Sequence, residues 1–77
     1  MRIEVVGTQS PESAELFQRC QVAIESCGIH AEIRRVEDLP SIIACGTTRI
    51  PALVIDGRVV FGGRPPSVEE IRAFLDR

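Results

Sequence analysis

Two serines three residues apart are the first candidates for chemistry in this 77-residue chain. Ser10 and Ser13 flank Pro11 and Glu12, between a short alternating run and a long amphipathic segment. Serine catalysis needs a neighbouring base and an acid that orients it, and no His or Lys stands near Ser10 in the sequence. The residue types instead predict a helix start, with Ser10 as the N-cap and Pro11 in the first helical position.

Three cysteines and one histidine are the other reactive groups. Cys20 and Cys27 share one helical stripe but lie roughly 10 Å apart along its axis, too far for a disulfide. Because no CxxC or metal-ligand spacing occurs, we expect inert packing thiols, no metal site and no cofactor. Cys45 at a helix C-terminus faces the negative dipole end, which disfavours a thiolate, and a reactive Cys45 is the alternative left open. His30 is expected to be solvated.

Composition argues against several classes of protein. The net charge is −2, the nine cationic residues are scattered arginines, and three Phe are the only aromatic residues. Nucleic-acid binding usually shows a basic stripe with interleaved aromatics, so we expect no nucleic-acid partner. Residues 1–6 form no signal peptide or membrane span, and we expect a cytoplasmic monomer with no membrane partner. A chain this short buries roughly 60% of its unfolded surface, which predicts one domain, 1–77.

Hydrophobic periodicity predicts the element order βαβαββα. Alternating or β-rich runs predict four strands, at 2–6, 29–34, 52–55 and 58–61. Apolar residues at helical spacing predict three helices, at 11–27, 38–45 and from 67 onward. Gly28 ends the first helix, and Asp56-Gly57 predicts a tight hairpin between the last two strands. This order predicts an α/β fold with a four-stranded mixed sheet and three helices covering both of its faces.

Capping residues mark the starts of the second and third helices. Asp38 is predicted to cap the second helix, with Ile42 and Ile43 facing inward. Ser67 and Glu70 have the spacing of a capping box, in which each side chain accepts a hydrogen bond from the other residue's backbone N–H.

Three segments together carry a resemblance to a known family. They are Val5-Val6-Gly7-Thr8 followed by the Pro-containing tetrapeptide, the run from 50 to 60 (IPALVIDGRVV), and the run from 66 to 71 (PSVEEI). In this order they resemble the small thioredoxin-like proteins often called redox-active disulfide protein 2. The resemblance covers essentially the whole chain and implies a thioredoxin/glutaredoxin-like fold.

The family motif implied by this resemblance is Cys-Pro-x-Cys, and its cysteines correspond to Ser10 and Ser13. A thiol at a helix N-terminus can have its pKa lowered from about 8.5 toward neutrality, so that the thiolate attacks a disulfide and the second thiol resolves it. Serine cannot form an S–S bond. The resemblance therefore implies a family role in redox homeostasis and a chain that is itself silent in thiol–disulfide exchange.

A binding groove is the second feature that the resemblance implies. Pro51 corresponds to a cis-proline, and Ile50 before it would offer backbone N–H and C=O groups to an extended peptide. With Thr8, Gln9 and Pro11, these residues would form a groove for a protein or peptide partner. The alternative is an oxidoreductase in Cys-to-Ser variant form. Gln9, where the family usually has a small residue, favours a naturally diverged loop.

Overall fold

The helices and strands follow the predicted order. The computed structural model describes residues 1–47 and 49–76 of the chain. The strands of this part are β1 (Arg2–Val6), β2 (Glu32–Val36), β3 (Ala52–Ile55) and β4 (Arg58–Gly62), and its helices are α1 (Pro11–Cys27), α2 (Leu39–Ala44) and α3 (Val68–Leu75). The bounds of β1, α1 and β3 are those that the sequence predicts.

The strands form one mixed sheet in the order β2-β1-β3-β4. β1 is parallel to β2 and antiparallel to β3, and β3 is antiparallel to β4. A helical crossover joins the parallel pair, as such a connection requires. The predicted mixed sheet is therefore confirmed, with β1 and β3 at its centre and β2 and β4 at its edges.

Helices cover both faces of this sheet, as predicted. Ile3 and Val5 face α1 and α3, whereas Val6 faces α2. On β3 the same alternation sends Leu53 to the first face and Val54 to the second. This is the two-residue period of a strand buried on both sides. The larger cluster contains Ile3, Val5, Leu16, Cys20, Ala23, Leu53, Ile55, Ile71 and Leu75.

The second strand lies later in the chain than predicted. The sequence favours 29–34, but β2 is Glu32–Val36. The parallel register aligns Arg2 with Glu32 and Val6 with Val36, so residues 29–31 lie beyond the start of β1 with no strand beside them. Ile29 and Ala31 are only half-buried at the margin of the core. Their alternation reflects packing without strand pairing.

The hairpin between β3 and β4 is confirmed. Asp56 has φ 49° and Gly57 has φ 83°, and two positive φ values in a two-residue loop are typical of a type I′ turn. The Asp56 carboxylate also accepts a hydrogen bond from the Arg2 backbone N–H at 2.8 Å, which ties the turn to the start of β1. The register between β3 and β4 shifts between Leu53 and Val54, which is the pattern of a β-bulge.

The predicted helix caps are also present. Asp38 accepts a hydrogen bond from the Ser41 backbone N–H at 3.1 Å, and hydrogen bonding from Ser41 lowers the pKa of this carboxyl. The capping box of α3 is complete: Ser67 Oγ accepts from the Glu70 N–H at 3.1 Å, and Glu70 Oε1 accepts from the Ser67 N–H at 3.1 Å. Gly28 caps the C-terminus of α1.

The buried face of α1 includes Cys20, as the sequence predicts, but not every residue of the predicted stripe. Leu16, Cys20 and Ala23 are fully buried, and Ser13 continues the same stripe at the N-terminal end. Cys27, which shares the predicted stripe with Cys20, is half-buried and packs against the core, as do Phe17 and Ile24. Within residues 1–47 and 49–76, none of the helices combines the length and apolar character needed to span a bilayer.

Helix α2 buries one of its two isoleucines. Ile42 is 8% exposed and packs on Val6 and Ala52, whereas Ile43 is 70% exposed. The expectation that Ile43 faces inward is therefore wrong. Successive residues of a helix point about 100° apart, because 3.6 residues complete one turn, so a six-residue helix lying on a sheet buries few of them.

This difference predicts unequal costs for the same change at adjacent positions. Ile42→Ala should lower the free energy of unfolding by about 2–5 kcal/mol, because it leaves a cavity between α2 and the sheet. Ile43→Ala, the matched control, should change it by no more than about 0.5 kcal/mol. Urea unfolding of both variants measures the difference. Equal losses would contradict the placement of α2.

Candidate functional site

The start of α1 is built by Ser10. This residue is the N-cap, in extended conformation with φ −154° and ψ 161°, and its Oγ accepts a hydrogen bond from the Ser13 backbone N–H at 3.2 Å. Pro11 occupies the first turn, where its missing N–H is not needed. The predicted helix start is confirmed. The Ser10 hydroxyl serves as the helix cap.

A small groove lies beside this helix start. Its volume is about 240 Å³, and it is lined by Thr8, Ser10, Glu12, Ile50, Pro51, Gly63 and Arg64. The structure thus brings together Thr8, Ser10, Ile50 and Pro51 from the predicted site. Gln9 and Pro11 are exposed outside this lining, and Ser13 is buried away from it.

Close backbone approaches shape the Ile50–Pro51 side of the groove. The Ile50–Pro51 peptide bond is cis, and the Gly63 N–H donates to the Pro51 carbonyl at 3.1 Å. A Cβ on Gly7 would lie 3.2 Å from Pro51 Cα, and one on Gly62 would lie 2.9 Å from the Arg49 carbonyl oxygen. Glycine at position 62 therefore allows the segment before Pro51 to pass over the end of β4.

The two residues of this segment differ in exposure. Pro51 is buried, whereas Ile50 is 37% exposed. Within the described part of the chain, no hydrogen bond is formed by the Ile50 backbone. Its N–H and C=O thus have no partner within residues 1–47 and 49–76, and they belong to a residue that is partly exposed.

Ser13 is in a different environment from Ser10. It is 1% exposed, on the face of α1 that packs on the sheet. Its Oγ accepts a long hydrogen bond from Arg35 Nη2 at 3.4 Å. Ser13 therefore points toward β2, and the two serines of the tetrapeptide do not converge on one substrate position.

Arg19 supports the opposite wall of the groove. Its Nη1 donates to the Pro65 carbonyl at 3.2 Å and to the Pro66 carbonyl at 2.9 Å, while Nη2 pairs with Glu15. These bonds tie the segment that carries Arg64 to the middle of α1. Sequence reasoning missed them because the acceptors are backbone carbonyls 46 and 47 residues away.

The thiols lie elsewhere. Cys20, Cys27 and Cys45 are free, and none of them lines the groove. Cys45 is half-buried on the α2 face, beside a larger cavity of about 620 Å³. Cys20 is buried in the core, and this burial raises its pKa to about 12. His30 is exposed, and no metal-binding cluster occurs among the residues that the structure describes.

Comparison with known proteins shows the family of this chain. Residues 1–76 match the family model described as a thioredoxin domain. The chain belongs to the thioredoxin-domain family. It is 32% identical over 75 residues to a thioredoxin of Methanothermobacter thermautotrophicus, with 97% of each chain covered. It is 37% identical over 73 residues to a thioredoxin of Methanocaldococcus jannaschii, covering 95% of this chain and 84% of that one.

The groove of this thioredoxin-domain protein carries opposite charges. Glu12, in the first turn of α1, and Arg64, in the segment before α3, both line it and are exposed. The Ser67 backbone hydrogen bond, and to a smaller extent the charge of Arg64, lowers the pKa of Glu70. Arg64 is thus the charged group that adjoins both the groove and the start of α3. The Gly-Gly-Arg-Pro-Pro run was the available sequence signal for it.

The buried thiol of Cys20 predicts a loss of stability in alkali. Its pKa is about 12 in the folded chain and about 8.5 when unfolded, so the unfolded chain loses its proton first. The protonated Cys20 thiol therefore contributes fully to the free energy of unfolding below about pH 8.5. This contribution is lost as pH rises toward 12, and the free energy of unfolding falls by at most about 1.4 kcal/mol per pH unit.

Urea unfolding across this pH range measures the slope. The sequence contains no Lys and no Tyr, so few other groups titrate there. Cys20→Ala should flatten the decline, whereas Cys45→Ala should leave it in place. A decline that is unchanged in Cys20→Ala would assign it to another group.

Proposed function

We propose that this thioredoxin-domain chain is silent in thiol–disulfide exchange and binds an extended protein or peptide segment in the groove beside Ile50 and Pro51. We place it in the redox-active disulfide protein 2 group, with Ser10 and Ser13 at the positions of the motif cysteines. The observation that carries the proposal is the groove itself, in which a serine hydroxyl caps the helix and no thiol is present.

The chemistry of serine supports the silent part of this proposal. Exchange begins with attack by a thiolate, and a second thiol then releases the substrate by forming an intramolecular disulfide. A hydroxyl forms no S–S bond, and the groove lining contains no His or Lys that could activate Ser10 for another reaction. Glu12 lines the groove, but no hydrogen bond joins it to Ser10 among the described residues.

The geometry of Ile50 supports the binding part. An extended segment that aligns with this residue can use its backbone N–H and C=O, which is how strand addition provides affinity. The exposed Ile50 side chain adds apolar contact, and Glu12 and Arg64 provide opposite charges at the margins. We further propose that the chain is a cytoplasmic, single-domain monomer. Its partner in this proposal is a protein or peptide, with no role for nucleic acid or membrane.

The second candidate is an oxidoreductase whose two cysteines were replaced by serine. It is favoured by the intact helix start, because Ser10 and Pro11 keep the capping geometry in which a thiol would meet free backbone N–H groups. Both candidates share the fold and the groove. They differ in whether the chain acts through binding alone or represents a disarmed catalyst.

Restoring the cysteines tests the loss of chemistry. The unaltered chain should not accelerate reduction of insulin disulfides by dithiothreitol, whereas Ser10→Cys combined with Ser13→Cys should gain activity and a titratable disulfide. Ser10→Cys alone is the control, because it can attack a disulfide but has no second motif thiol to resolve it. Activity in the unaltered chain would disprove the proposed silence. No gain in a folded double variant would argue against an oxidoreductase scaffold.

Groove binding is tested separately on the unaltered chain. A capped peptide of alternating valine and serine should shift the NMR signals of residues beside Ile50, and Ile50→Ser should weaken this binding at least about tenfold, equivalent to about 1.4 kcal/mol. Val22→Ser is the matched control, since Val22 is 47% exposed and lies outside the groove lining. Shifts that persist in Ile50→Ser, or an equal loss in Val22→Ser, would contradict binding at this groove.

A further inference from the structure

A second cavity lies on the α2 face of the sheet. Its volume is about 620 Å³, within the range of roughly 300–1,000 Å³ that is usual for small-molecule sites. Its lining and that of the groove at Ile50 have no residue in common among those that the structure describes. Helix α2 has only six residues and packs through Ile42 on Val6 and Ala52, so the cavity opens beside it.

One row of aligned residues crosses all four strands in the floor of this cavity. The register aligns Arg34 of β2 with Glu4 of β1, Glu4 with Val54 of β3, and Val54 with Val59 of β4. All four residues line the cavity. Aligned residues of neighbouring strands lie side by side on one face of the sheet. The row is therefore charged at its β2 end and apolar at its β4 end, where Val59 is 42% exposed.

Glu4 is the residue of this row that packing does not explain. It is half-buried on a central strand, on the same face as Val6 and beside Val54. Within residues 1–47 and 49–76, its carboxylate forms no hydrogen bond and no ion pair. A carboxylate that loses water without gaining a partner costs free energy, whereas an apolar residue here would extend the valine floor. Such a departure from the packing rules is typical of binding positions.

The two arginines of the lining have other partners. Arg34 Nη2 lies 3.7 Å from Glu32 Oε1, and both side chains are more than half exposed to solvent, which screens their charges. Arg35 is aligned with Val5 on the opposite face, where its Nη2 donates to Ser13 Oγ. Neither guanidinium therefore neutralises the Glu4 carboxylate.

Asp38 adds a second carboxylate to the lining, at the start of α2. Hydrogen bonding from Ser41 lowers the pKa of Asp38, so this group is ionised at neutral pH. Arg2, the next residue on the same face of β1 as Glu4, is exposed and lies outside the lining. The charges that face the cavity thus favour a positively charged ligand.

We propose that this cavity binds a small organic cation, with its ammonium group on Glu4 and its apolar body on Val54 and Val59. An ammonium has three N–H donors, and a carboxylate accepts them in strong, charge-assisted hydrogen bonds. An apolar body on Val59 would remove the exposed part of this side chain from water, which is favourable. Because charge and apolar surface adjoin in one row, a single amphipathic molecule satisfies both. This site is independent of the groove and of thiol chemistry.

Three probes that share one scaffold test this proposal on the unaltered chain. They are 4-phenylbutylamine, 4-phenylbutan-1-ol and 4-phenylbutyric acid, which at pH 7 are a cation, a neutral molecule and an anion. Titrations followed by NMR should shift the signals of Val54 and Val59. The amine should bind at least about fivefold more tightly than the alcohol, and the acid should bind most weakly. Equal binding of the three probes, or tighter binding of the acid, would overturn the proposal.

The charge of Glu4 is tested by Glu4→Gln, which nearly keeps the shape of the side chain. This variant should bind the amine about fivefold more weakly, close to the alcohol, and should leave binding of the alcohol unchanged. Glu25→Gln is the matched control, because it changes the net charge equally at an exposed position on α1, in the opposite layer. An equal loss in Glu25→Gln would assign the preference to net charge and overturn the proposal.

The apolar contact is tested by Val59→Ser, which should weaken binding of the amine and of the alcohol alike, by at least about threefold. Val22→Ser, at an exposed position on α1, should change neither affinity. The three probes need no variant, so their order of affinity decides the matter even where circular dichroism shows that a variant does not fold. Shifts at Ile50 in place of Val54 and Val59 would locate the probes in the groove and would overturn the proposal.

Discussion

The position of β1 between a parallel and an antiparallel neighbour is the constraint on which the rest of the structure depends. Val6 is aligned with Val36 on one side and with Ala52 on the other, so three strands meet at the same level of the sheet. The chain leaves β1 through Gly7, beside Pro51, and enters α1 only a few residues later. This single junction brings the helix start against the segment before β3, and it creates the groove.

The two faces of the sheet have unequal support. α1 and α3 cover one face with the larger core, and Arg19 fastens the segment between β4 and α3 to α1 through backbone carbonyls. On the other face α2 is a helix of six residues, and the cavity beside it remains open. The groove at Ile50 therefore rests on the better supported side of the molecule, since both its helix start and its Arg64 wall belong to that layer.

Features determined by neighbouring residues could be predicted from the sequence, whereas those that depend on distant partners could not. Asp56-Gly57 and the Ser67 capping box are encoded within four residues each, and both are present in the structure. The bounds of β2 depend on its register with β1, and periodicity alone misplaced them. Thr8, Ser10, Ile50 and Pro51 were found together through family resemblance. The roles of Arg19 and Arg35 were missed because their acceptors lie on other elements.

The close passage of position 62 under the Arg49 carbonyl links two parts of the chain that are far apart in sequence. A Cβ at position 62 would meet the backbone carbonyl of Arg49. Rotation of a side chain cannot relieve this contact, because the backbone itself would have to move. A relative with alanine at this position would need a different path for the segment that leads to Pro51, and hence a differently shaped groove. The end of the edge strand β4 thereby limits how ligand preference can diverge. Substitutions can change the side chains that line the groove, but the backbone outline of the groove can change only together with the end of β4.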